Sequence, residues 1–185
     1  MRKRQQIIAA AVLLASALGA LAQQTQTLTE PEYVGKVALL GGDGTLIPLE
    51  RQTPRFESKT SGFVFKVKSQ GRRAVSGTKS PARTDPQAHF VVRGHTSDID
   101  PATLIHLYKL DVGKDERYYV TNTASATVFT GAKGATADQE GLPLSIEKFG
   151  TSSFKVSSAQ PLAAGEYCFT TAVGMAVDCF GVDAK

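Results

Sequence analysis

Apolar positions in this chain follow two rhythms. Ile7 to Leu18 make one continuous apolar run, whereas from residue 33 onward the apolar residues fall into short segments cut by Gly, Pro, Asp and Ser. Alternation is clearest over 61–69, with Phe63, Phe65 and Val67 on one face and Val64, Lys66 and Lys68 on the other. A half-buried strand has that period of two. Further strands are expected over 33–40, 45–50, 89–93, 104–110, 116–123, 125–129, 145–149, 153–157, 165–171 and 175–182. Gly41-Gly42-Asp43-Gly44 separates the first two of these. Asp-Gly tolerates the positive φ of a tight turn, so those two runs should pair as a hairpin. The stretch 70–86, rich in Gly, Ser, Pro and Arg, reads as irregular. Asp100 precedes Pro101 and is pushed out of the helical region, so a turn opens there, with a short helical turn at 101–103. Neither a three-turn amphipathic helix nor an internal repeat is visible. The pattern predicts an all-β fold, an antiparallel β-sandwich of roughly eight to ten strands closed by a C-terminal β-hairpin.

The first rhythm has a different meaning. Arg2, Lys3 and Arg4 precede the apolar run, and Ala20-Leu21-Ala22 is a small-x-small site before Gln23. Together they read as a cleavable export signal over 1–22. The run is shorter than the about 20 residues a spanning helix needs, no later segment is apolar enough to span, and no Cys follows the cleavage site to carry a lipid. Stable membrane insertion after cleavage is not expected. Residues 23–31 are polar and Thr-rich and read as a flexible leader. Residues 32–185 are then one β-sandwich domain, in the periplasm, outside the cell or on its surface.

Export changes the reading of charge. The formal charge of +4 includes Arg2, Lys3 and Arg4; without them 18 basic residues face 17 acidic ones. Nucleic acid is therefore not an expected partner. The remaining charge is uneven. Residues 59–93 hold eight basic side chains against Asp85 alone, and 94–147 hold eight acidic against four basic. Lys66, Lys68, Arg72, Arg73 and Arg83 are the candidate anion-binding residues, suited to an anionic envelope component or an acidic exported partner. The competing reading is a solvated strand face paired with the acidic half.

The most distinctive stretch is Pro161-Leu-Ala-Ala-Gly-Glu-Tyr-Cys-Phe-Thr, followed by Asp178-Cys-Phe-Gly-Val-Asp183. It resembles the closing hairpin of a family of uncharacterised bacterial exported β-rich proteins, whose ends read PLxxGEYxF and then CFGVD or CFGID. Leu46-Ile-Pro-Leu-Glu-Arg51, Lys79-Ser-Pro-Ala-Arg83, Phe90-Val-Val-Arg93 and 105–110 are similar to the same pattern. The resemblance implies an exported β-rich protein and no catalytic residue. The pattern leads one to expect a small residue after Gly-Glu-Tyr, where this chain has Cys168.

In an oxidising compartment Cys168 and Cys179 are expected to form a disulfide, with two free thiols as the alternative. The two are equidistant from the midpoint between Val173 and Gly174, so any symmetric hairpin loop with an even residue count sets them opposite each other. A four-residue loop is more comfortable than a two-residue turn, because Val is poor at positive φ. Tyr167, Phe169 and Phe180 then share the other, core-facing side.

Catalytic signals are thin. Ser76 with Lys79 and Ser145 with Lys148 both fit Ser-x-x-Lys, but neither sits on a helix and no Lys-Thr-Gly strand accompanies them. His95, Asp98 and Asp100 form the one run suited to a cation or general base, with His89 or His106 joining from adjacent strands. An Asp-rich turn bonding its own backbone is the preferred account of it. Thr121, Thr123, Ser125 and Thr127 place hydroxyls at strand spacing, as in surfaces that order water or bind glycans. The expectation is an exported, non-catalytic binding or accessory domain with no cofactor and no metal. An envelope hydrolase or metal-dependent enzyme using His95, Asp98 and Asp100 is the alternative, and a structural subunit of a surface assembly is a third.

Overall fold

A computed structural model describes residues 28–63, 66–94, 99–127, 131–136 and 139–184. The described chain is almost entirely β. In order come β1 (Val37–Leu40), β2 (Leu46–Pro48), β3 (Glu50–Gln52), β4 (Arg55–Phe63), β5 (Lys66–Ser76), β6 (Arg83–Thr84) and β7 (His89–Arg93). A 3-10 turn, Pro101–Thr103, precedes β8 (Ile105–Val112), β9 (Glu116–Thr127) and β10 (Gly131–Thr136). The chain continues with β11 (Leu144–Phe149), β12 (Ser153–Ser158), β13 (Gly165–Thr171) and β14 (Val177–Val182). No helix among the described residues is long and apolar enough to cross a membrane.

Two sheets pack together. One runs β11-β12-β7-β1-β2; the other runs β3-β14-β13-β8-β9-β5-β4, with β10 added to β9 and β6 to β14. The β6–β14 pairing is parallel. Alternation decides what each face buries. Phe90 and Val92 on β7, Val37 on β1 and Val156 on β12 meet Leu107, Tyr167, Phe169, Phe180 and Val182 of the second sheet. Phe90 sits edge-on to Phe169, with ring centroids 4.9 Å apart, and Tyr167 stacks on Phe180. The other face of β13–β14 is apolar too. Cys168, Cys179 and Val177 pack there with Leu110, Tyr119 and Val75. A sheet buried on both faces needs a second cover, and the long sheet supplies it by curling β9, β5 and β4 back over β13–β14. The ends meet at Gln52, whose Nε2 donates to the Ser76 carbonyl at 3.1 Å while its Oε1 accepts the Ser76 N–H at 2.9 Å. The result is a sandwich with a half-barrel built into one layer.

The C-terminal hairpin has the register expected of it. Cys168 lies directly opposite Cys179 and the two are disulfide-bonded, with Cα atoms 4.0 Å apart. That is the close spacing of a non-hydrogen-bonded antiparallel pair. The last pair is Thr170 with Val177, so the loop is even but longer than the expected four residues. The hairpin joining 33–40 to 45–50 also forms, over narrower spans, as β1–β2.

Three expectations are corrected. The run 61–69 is not one strand: Phe63 pairs with Lys66, so the chain reverses between them. Alternation continued across the reversal, which hid it, and Phe63 shares a face with Lys66 rather than with Val67. Residues 70–76, expected to be irregular, continue β5 and stay paired with β9 through one register shift at Gly71–Arg72. Gln70 and Arg72 find cross-strand partners in Thr123 and Glu57, so they need no solvent-facing loop. Finally, 125–127 is no separate strand but the end of β9, and 128–129 of that expected strand lie outside the described residues. These long ribbons, with several elements of two or three residues, raise the count to fourteen strands among the described residues.

The expected leader is anchored at its end. Glu30 accepts hydrogen bonds from the Thr151 and Ser152 N–H groups and from the Ser152 and Ser153 hydroxyls, at 2.6–3.1 Å. The Ser153 hydroxyl and the Thr151 N–H hold its carboxyl down at about 2.

Candidate functional site

The cations expected to share one anion site are divided among four environments. Arg72 is buried, its guanidinium held by Glu57, at 2.6 and 2.9 Å, and by Glu116, with the Tyr118 ring 4.2 Å away. The Arg72 hydrogen bond keeps the Glu57 carboxyl below its usual range. Arg83 donates to Glu166 at 2.6 Å and to Asp183 at 2.8 Å. Both arginines were expected to face an external anion; carboxylates of the chain itself, opposite them across strands, already neutralise them.

Sequence reading missed the most buried charge altogether. Arg117 has no exposed side-chain surface. It reaches Glu166 at 3.1 Å, Glu50 at 2.9 and 3.1 Å, and the carbonyls of Ser76 and Gly77 at 3.0 Å. Glu166 also accepts from the Ser80 N–H at 2.7 Å. This cluster joins β3, β9 and β13 where the half-barrel closes, and every arm of it is satisfied from inside the chain. A second internal pair lies nearby, where Asp178 accepts from Arg51 and from the Val37 N–H. Burial pushes the Asp178 carboxyl up in spite of both donors. Nothing in the local sequence signals these pairs, because the partners are far apart in the chain.

Lys66 and Lys68 belong to a different region. The outer halves of β4, β5 and β9, with β10, form a four-stranded ribbon. Its register sets Ser61 opposite Lys68, Lys68 opposite Ser125, and Ser125 opposite Lys133. The next row is Phe63, Lys66, Thr127 and Gly131, and Lys59 with Gln70 and Thr123 lies on the other side. Cross-strand partners share a face and residues two apart return to it. Lys59 and Lys68 therefore occupy one face together with Thr123 of the expected hydroxyl row, and the backbone register continues that face at positions 66, 125, 127 and 133. Thr121 is the extra residue of a bulge opposite Gly71 and Arg72, and it drops out of that row. Beyond Glu57 and Glu116 the four strands contain no Asp or Glu. Lys68 is exposed, and Lys59 is exposed with Glu116 at 3.8 Å.

Arg73 points to the opposite, inner face and helps to line a cleft of about 400 Å³. The cleft exists because β8 and β9 pair only at Asp111–Tyr118 and Val112–Arg117. Past that point Gln139 stands between them. Its Oε1 accepts the Val120 N–H at 3.3 Å, its Nε2 donates to the Lys109 carbonyl at 2.9 Å, and its own N–H donates to the Val120 carbonyl. One amide side chain replaces a rung of the ladder and spaces the strands apart. Phe56, His106, Tyr108, Tyr119 and Thr170 are among the residues lining the gap.

Of the metal or general-base run, His95 and Asp98 lie outside the described residues. Asp100 caps the 3-10 turn, its Oδ1 accepting the Ala102 N–H at 2.9 Å, which is the backbone-bonding role preferred for it. His89 is exposed on β7, and His106 lines the cleft. No group of three or more His, Cys, Asp or Glu suited to a metal occurs among the described residues. No family model, no curated protein and no solved structure matches the chain.

Proposed function

We propose that the protein is an exported, non-catalytic binding domain that holds an anionic glycan or glycolipid of the cell envelope on the lysine face of its ribbon. One observation carries the reading: exposed Lys59 and Lys68 share a face of the ribbon with Ser61 and Thr123, the backbone register continues those rows at positions 66, 125, 127 and 133, and the outer halves of the four strands contain no Asp or Glu. Repeated cations at strand spacing match a polymer with repeated phosphates or carboxylates, and hydroxyls between them suit its sugar oxygens. Arg72 and Arg83 take no part. The signal-like start, the Cys168–Cys179 bridge and the resemblance of the C-terminal hairpin to exported bacterial proteins support the compartment.

Retention on a dextran sulfate column across a salt gradient tests this. The wild-type protein should bind and elute with salt, and Lys66→Glu with Lys68→Glu should elute far earlier, at an unchanged melting temperature. At about 0.15 M salt the screening length is about 8 Å, so only charges this close to the polymer contribute. Equal elution of the two proteins would refute the reading.

A further inference from the structure

We propose that the cleft between β8 and β9 is a second, separate binding site, for a small organic anion with a ring-shaped body, its carboxylate or phosphate seated on Arg73. The argument begins from an unsatisfied cation. Arg73 Nε is buried without a hydrogen-bond partner, and the side chain makes no ion pair among the described residues. Arg51, Arg72, Arg83 and Arg117, the other arginines of this sheet named above, are all paired with carboxylates. A buried Nε–H that has lost water and gained no acceptor is costly to keep.

The surroundings hold it ready for an acceptor. Phe56 lies directly opposite Arg73 on β4, and its ring centroid is 4.5 Å from the guanidinium carbon. Phe56 is 62% exposed, an unusual position for so large an apolar ring. Its stacking under the guanidinium accounts for that, by fixing the plane of the donors. On the other side Tyr119 pairs with Arg73 in register and stacks on Tyr108 at 4.4 Å, with His106 next along β8. The cleft thus offers one cation, a wall of aromatic rings and the Thr170 hydroxyl.

Those groups define the ligand class. A single free cation among the described lining residues suits one anionic group rather than a polymer, and aromatic walls suit a flat or sugar-like ring. The volume of about 400 Å³ falls within the range of small-molecule sites, about 300–1,000 Å³. The lysine face lies on the other side of the ribbon, so the two sites are independent.

Calorimetric titration of the full protein with benzoate, glucuronate and inorganic phosphate tests the proposal. One of the two ring acids should bind at one site per chain, at least tenfold tighter than phosphate. Arg73→Gln should weaken it at least tenfold, Arg73→Lys less, and Phe56→Leu several-fold. Lys66→Glu with Lys68→Glu should leave it unchanged, so failure here is distinct from failure on dextran sulfate. Should Arg73→Gln not fold, Arg73→Lys and Phe56→Leu carry the comparison. Absence of saturation by both ring acids, phosphate binding as tight as theirs, or affinity indifferent to all Arg73 and Phe56 substitutions would overturn it.

Discussion

Replacing Arg117 with Met tests whether the buried ion cluster is what closes the half-barrel. Met fills much of the same space and removes all five donors. Two carboxylates then lose a partner. Glu166 keeps Arg83 at 2.6 Å and the Ser80 N–H at 2.7 Å, so its charge stays compensated. Glu50 loses both of its bonds to Arg117, yet its side chain retains 17% exposure and can draw in water. Removing one partner of a buried pair costs about 3–5 kcal/mol, and the partial rescue of both carboxylates places this site near about 3 kcal/mol. In a domain of this size that corresponds to a fall in melting temperature of about 6–12 °C. The chain contains no Trp, so urea unfolding followed by tyrosine fluorescence without reductant is the natural assay. Adding Glu50→Gln should recover about 1 kcal/mol, because a neutral amide needs no counter-charge. A loss below about 1 kcal/mol for Arg117→Met, or no recovery in the double variant, would show that the cluster is incidental to closure.

Other expectations are simpler. Replacing Cys168 and Cys179 together with Ala should cost about 3 kcal/mol from restored loop entropy alone, read as a lowered urea midpoint; an unchanged midpoint would contradict the bridge's role. The leader anchor should depend on pH. The folded-state value of Glu30, about 2, lies below the ordinary 4.5, so the anchor is at full strength above about pH 4.5 and is lost as pH falls toward 2. The Ser152 and Thr151 amide resonances should follow that titration in the wild type and lose it in Glu30→Ala. Gly94→Ala should destabilise by about 1–3 kcal/mol, because a Cβ there would lie 2.7 Å from the Phe154 ring; an unaltered melting temperature would show that the ring yields freely.

What the sequence made legible was local. The β7 run, the 3-10 turn at Pro101 and the β13 strand are set by short apolar runs and by proline, each acting within a few residues. The pairing of Cys168 with Cys179 followed from symmetry about a single loop. The ribbon was obscured because β4 and β5 carry a continuous alternation through their reversal, and because polar β5 residues such as Arg72 and Gln70 are satisfied by Glu57 and Thr123. The same cause hid the sites. Whether an arginine is free depends on carboxylates elsewhere in the sequence, so Arg72, Arg73 and Arg83 look equivalent in a row of letters. Only register separates them. The cleft itself rests on Gln139, a residue with no motif, acting as a spacer between strands that come from another part of the chain.

The position of β14 has a consequence for timing. It is the last described strand to be synthesised, yet it lies between β3 and β13, holds β6 in parallel, and carries half of the disulfide. Strand β3, on the order of a hundred residues upstream, has no partner on that side until β14 arrives, and the inner face of Phe180 and Val182 is missing from the core. Ordering such long-range pairings is slow, since loop entropy is lost before contact energy is gained. The sheet around β3 therefore stays open until β14 has emerged. The two cysteines come together only once β14 has emerged to pair with β13.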